Sequence, residues 1–205
     1  MIKKLAIDEI LLILKNNPEQ LIFDWKRDLN WGKEDVTKSE KVKDIVAIAN
    51  TVTEESGYIF YGVDPNQPDS IIGISRSYDD SRFQQLLRDK VSPRVEFIYY
   101  EVLKIDKRVG VIEVFGSSSK PHIIMKDYGK LREGQILIRR GSSTGGIQFD
   151  DLLEIFLGSN SPYLRAALQN MGITAKLLEQ VNILIQQQNH DEKDIDYDIN
   201  KIFGF

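Results

Sequence analysis

Between residues 42 and 63 the spacing of apolar side chains changes once, and sharply. Val42, Ile45, Val46 and Ala49 recur at i, i+3, i+4 and i+7, the stripe of an amphipathic helix. After a polar stretch, "GYIFYGV" is almost continuously apolar, rich in aromatic and β-branched residues, and reads as a buried strand. Gly57 marks its start. A chain with this switch must pack a helix against a sheet. The 205 residues are 41% hydrophobic and 28% charged, enough apolar material for such a core.

The rest of the chain fills in around that unit. Residues 3–15 carry a broad apolar stripe and form a short helix, stopped by Asn16-Asn17-Pro18. In "LIFDWKRDL" the alternation predicts a strand with Leu21, Phe23 and Trp25 on one side and Ile22, Asp24 and Lys26 on the other. Trp25 is expected in the core. Thr37 and Glu40 have capping-box spacing for the amphipathic helix. "SIIGI" pairs with the 58–63 strand in a hairpin turned at "NQPD". Asp79 or Asp80 caps a helix carrying Phe83, Leu86, Leu87 and Val91, which Pro93 ends. "VEFIYYEVL" and "RVGVIEVF" form a second hairpin joined by "KIDK". "HIIM" and "QILIRR" are further strands, and "FDDLLEIF" a short helix. Hairpins outnumber crossover units, so the expected class is α+β with mixed or antiparallel sheets and packed helices.

The character changes near Gly158. Residues 1–158 read as one domain and residues 159–205 as a helical extension. In the extension, Leu164, Leu168, Leu177, Leu178, Val181 and Leu184 give two helices apolar stripes suited to homo-oligomerisation. From His190 onward, five acids face two lysines, a net −3 of the chain's −4. This acidic tail reads as a solvated end, and alternatively as a cover over a basic face of the same chain. The remaining body is nearly neutral and can carry local basic patches, as in "WKRDLNWGK" and "RRGSS".

Several chemistries drop out. There is no cysteine, which excludes disulfides and thiolate zinc sites and fits a cytoplasmic location. With only His122 and His190, no structural zinc is expected. No apolar run approaches membrane-spanning length, about 20 residues, and no membrane partner is expected. The first residues lack a cleavage site and are not read as a signal segment. "GYIFYG" lacks the Gly-Lys-Ser/Thr of a phosphate loop, so no ATP site is found.

Six stretches in order, "FDWK", "IVAIANTVTEESGYIFYGVD", "IIGI", "VSPRV", "KPHI" and "ILIRRGSST", resemble the AlbA-like Schlafen domain over about residues 10–157. That domain occurs in prokaryotic proteins described as DNA-binding or transcriptional regulators. The resemblance implies a nucleic-acid-binding fold and does not fix an activity. In its RNA-cleaving members two acids stand five apart before the first helix, a spacing matched by Glu19 and Asp24. Their third acid falls at Pro65, leaving Asp64 one residue early. The family's Gly-Gly turn is replaced by "VTEESG", and its zinc finger is absent.

These residues leave three readings open. The favoured one is a nucleic-acid-binding module, for DNA or RNA, contacting phosphates through Lys26, Arg27, Lys33, Arg139, Arg140, Ser142, Ser143 and Thr144, with Trp31 as a base-stacking platform. Alternation sends Arg139 and Arg140 to opposite faces, and Arg139 is expected to point into the groove. The second is a metal-dependent endoribonuclease. There Glu19, Asp24 and Asp64 would hold Mg²⁺ or Mn²⁺, and Lys26 would neutralise developing phosphorane charge. Against it stands a plain surface pair of Asp24 with Lys26 and a turn at Asp64-Pro65. The third is a protein-interaction scaffold. His122 is expected to be packed rather than to act as a base, and Asn50 to close its helix.

Overall fold

The computed structural model describes residues 4–16, 22–51, 55–64, 67–117, 119–148, 151, 152 and 155. All of them fall within the unit Met1–Ser159. The expected C-terminal helical pair and acidic tail, with the oligomer interface assigned to them, lie outside the described residues, as do Glu19 and Pro65.

The fold is α+β, as expected. Four strands form the central sheet: β1 (Phe23–Lys26), β2 (Gly57–Tyr61), β7 (Lys107–Val114) and β6 (Phe97–Lys104), in the order β1-β2-β7-β6. β1 and β2 are parallel, so the helix between them, α2 (Asp35–Asn50), is a crossover. The other neighbours in the sheet are antiparallel. Alternation divides the side chains cleanly. Ile59, Tyr61, Phe97, Tyr99, Ile112 and Val114 join Val42, Ile45 and Val46 of α2 and Phe83, Leu86 and Leu87 of α3 (Asp80–Leu87) in one core. Trp25, Phe60, Tyr100, Val109 and Val111 form the opposite core with Ile10 of α1 (Ile7–Asn16) and with Val63 and Ile71 of the short pair β3 (Val63–Asp64) and β4 (Gln67–Ile71).

Three smaller corrections have local causes. α2 starts at Asp35 and its N-cap Glu34 makes no side-chain cap bond, so Thr37 lies inside the first turn rather than capping it. The first hairpin is carried by β3 and β4, not by β2, because Gly62 at φ +87° breaks the strand after Tyr61. Val91 leaves the α3 helix and pairs instead with Ile124, in strands β5 (Val91–Ser92) and β8 (Ile123–Ile124). The last hairpin, β9 (Leu137–Arg140) with β10 (Ser143–Gly146), packs on α2.

Two glycines explain why the switch in the sequence is so abrupt. A Cβ on Gly57 would sit 2.2 Å from Ile48 Cγ2, so the start of β2 lies against the end of α2 as only glycine permits. A Cβ on Gly62 would meet the Gly73 backbone at 2.8 Å, and the Ile72 and Gly73 amides both donate to the Gly62 carbonyl.

A buried polar centre and an exposed basic edge

Asp24 and Lys26 share a face of β1, as alternation requires, and meet in an ion pair of 2.9 Å. Lys26 Nζ also lies 3.2 Å from Asp44 of α2. From the other side, Arg139 of β9 brings Nη1 to 3.3 Å from the same Asp24 oxygen and donates from Nη2 to the Phe23 carbonyl. Three separate segments thus converge on one charge cluster between sheet, helix and hairpin. Asp24 and Arg139 are buried, each with a side chain only 2% exposed, and Lys26 reaches the surface at 38%.

The electrostatics follow from burial. Burial alone would lower the Lys26 pKa, but the pull of Asp44 and Asp24 outweighs it and holds the ammonium above its normal range. Asp44 moves the other way from an ordinary ion-paired acid. Its burial, reinforced by Asp24, outweighs Lys26 and raises its pKa. The Tyr61 hydroxyl, cross-strand from Lys26, is wholly buried and pushed well up by burial and by the two carboxylates.

The structure inverts one expectation. Arg139, expected to point into a groove for phosphate, is the buried partner of Asp24, and Arg140 carries the accessible charge beside Asp151. Ser142 and Ser143 are exposed at the hairpin turn and Thr144 half-buried. Trp31 is half-buried rather than a free platform. It stacks on Tyr78 at 5.8 Å and meets Phe83 edge-on, with the Arg82 guanidinium 5.2 Å from its centroid. Lys33 is exposed, and Arg27 is 66% exposed with Asp64 at 3.7 Å.

Of the expected metal set, only Asp24 and Asp64 are among the described residues. Two cations already crowd one Asp24 oxygen, and Asp64 faces Arg27. Among the described residues no three His, Asp or Glu side chains could hold a metal ion together.

A second polar knot lies at the end of α2. The Asn50 amide donates to the His122 and Leu137 carbonyls, both at 2.9 Å, and its oxygen accepts the His122 N–H at 2.6 Å. Closing the helix falls instead to Thr51, whose hydroxyl and amide reach back to Ala47 and Ile48. His122 is fully buried, as expected of a packed residue, and Nδ1 donates to the Pro93 carbonyl at 2.8 Å. Burial lowers its pKa from 6.5. The unfolded chain therefore binds a proton that the folded one refuses, and stability falls as pH drops below about 6.5. Urea midpoints at successive pH values should decline over that range less steeply for His122→Gln than for the parent.

The parts now define a class: an α+β module with one parallel crossover, whose polar centre ties helix, strand and hairpin together. The chain belongs to the Schlafen, AlbA_2 family, whose sequence model matches residues 19–148. It is also similar to the solution NMR structure of the N-terminal domain of a putative ATP-dependent DNA helicase RecG-related protein from Nitrosomonas europaea. Identity is 21%, with 68% of this chain and 92% of that chain covered and a TM-score of 0.44. No curated protein matches.

Proposed function

We propose that the domain binds nucleic acid through phosphate contacts at the end of the sheet where β1 and β2 stop. The observation that carries this reading is a placement. The row Lys26–Tyr61–Gly110–Glu101 crosses all four strands. Arg27 follows β1 directly, and Lys104, Lys107 and Arg108 lie beyond that row on the β6–β7 hairpin, with Arg108 also 3.0 Å from Glu101. The β1–α2 loop with Lys33 and the first turn of α2 belong to the same end, because a parallel crossover returns its helix from there. Acids are interspersed, at Asp28, Asp64 and Asp106, so the surface is mixed rather than a broad positive field. Membership of the Schlafen, AlbA_2 family supports the same reading. Phosphate contacts of this kind position a duplex or strand and read little sequence.

A salt titration tests it. Anisotropy of a labelled DNA duplex and of a structured RNA, followed over increasing salt, should show affinity falling linearly on logarithmic axes. Arg27→Gln and Lys33→Gln should each weaken binding about fivefold and reduce the slope by about 1. Binding that ignores salt, or no binding to either probe, would sink the proposal.

A further inference from the structure

The β6–β7 hairpin does not end with the sheet. Beyond the row of Glu101 and Gly110, the pairs Val102–Val109, Leu103–Arg108 and Lys104–Lys107 continue with no third strand among the described residues, a two-stranded finger about 10 Å long. Its base is buttressed where the Ile74 amide donates to the Arg108 carbonyl and Lys107 Nζ to the Ile71 carbonyl. Its tip is the two-residue turn Ile105-Asp106.

Ile105 is the wrong residue for that turn by two separate criteria. Its φ is +55°, the only positive value among described non-glycine residues, and a β-branched side chain is strained there. Hairpin turns with positive φ at the first central position and not the second favour glycine first. The side chain is also 90% exposed, and Leu103 beside it is 61% exposed. Glycine or asparagine would relieve the strain and remove the exposed apolar surface. Neither the folded turn nor solubility accounts for isoleucine at this position.

Resting on the nucleic-acid reading above, we propose that this tip is an apolar wedge that enters the base stack of a duplex. Ile105 and Leu103 insert at a base step, and Lys104, one residue behind the turn, takes a flanking phosphate. Apolar wedges backed by cations partly unstack base steps in this way. A lipid surface fits less well, because binding there scales with buried apolar area and the tip offers two side chains and an acid, Asp106.

The test uses the full chain and a short DNA duplex carrying 2-aminopurine, whose fluorescence rises when its base unstacks. The parent protein should raise the signal. Ile105→Gly and Ile105→Asn should abolish the rise and weaken binding about tenfold, with melting temperatures unchanged or higher. A structural role for Ile105 would instead lower the melting temperature. Parent-like binding and fluorescence in both variants would overturn the wedge while leaving phosphate binding intact. No duplex binding by the parent would overturn both readings. Capture of the parent, but not of Ile105→Gly, by phosphatidylglycerol vesicles without any 2-aminopurine response would overturn the wedge in favour of a lipid contact.

Discussion

Asp24→Ala is expected to destabilise the fold by about 3–5 kcal/mol, because it takes a buried carboxylate away from 3.3 Å of the buried Arg139 guanidinium. In a domain of this size that lowers the melting temperature by roughly 10 °C. Lys26 loses one of its two carboxylates as well, but it is part-exposed and keeps Asp44, so its share is smaller. Arg139→Met should cost somewhat less, since the buried Asp24 carboxylate keeps Lys26 at 2.9 Å. The double variant Asp24→Ala/Arg139→Met removes both charges, so neither is left buried beside the other's vacant place. It should lose less than the sum of the single losses, with a coupling of about 2 kcal/mol. Urea denaturation of the four proteins measures this directly.

The result also bears on chemistry. If Asp24→Ala unfolds at the parent's urea midpoint, the carboxylate is not holding Arg139. Asp24 would then be available to act on a substrate, as the nuclease reading requires. A large loss recovered in the double variant fixes Asp24 as a structural counter-ion. In that case the acid at this position in the sequence is no evidence for catalysis in this chain. Arg140, at the surface beside Asp151, is the residue of that hairpin to vary when binding is measured.

The motifs that made the family legible turn out to touch one another. "FDWK" meets "IRRG" through Asp24 and Arg139. "ANT" meets "KPH" and "LIR" through Asn50, and "VSPRV" meets "KPH" through Pro93 and His122. "GVD" meets "IGI" through the backbones of Gly62 and Gly73. Such a set specifies a fold because each residue satisfies a buried partner. Periodicity therefore found the four strands of the central sheet, the two main helices, the shared face of Asp24 and Lys26 and the burial of Trp25. It could not find the partners, which lie far off in sequence: Asn50 bonds residues 72 and 87 positions away. Alternation separated Arg139 from Arg140, but two arginines in a row give no hydrophobic signal for which side faces the core. The buried side is set by α2 and β1, which the hairpin meets only in three dimensions. The βαβ crossover was hidden for a similar reason, since "FDWK" is only four residues long. Ile105 fell in the expected "KIDK" turn, but nothing in those four letters marks it, and only its backbone angle and exposure single it out.

Asn50 carries the second large effect. Its side chain fills three hydrogen-bonding roles in a site where it has no exposed surface, joining the end of α2 to the segment before β8 and to the start of β9. Asn50→Ala leaves one N–H and two carbonyls buried without these partners, each worth about 1–3 kcal/mol, partly relieved by local relaxation. A net loss of about 3–4 kcal/mol is expected. Asn50→Asp should be worse at neutral pH. A carboxylate can still accept from His122 N–H, but it has no N–H to donate and presents charge to two carbonyl oxygens. The order Asn, Ala, Asp separates this account from simple packing, under which aspartate, nearly isosteric with asparagine, would be the milder change. Hydrogen exchange gives the local readout. The His122 amide, protected in the parent by the Asn50 oxygen, should exchange far faster in Asn50→Ala under conditions where the β2 and β7 amides remain protected. If instead His122 and the central strands lose protection together, the clamp belongs to the global unfolding unit, and the last hairpin is held to α2 by its apolar contacts rather than by Asn50.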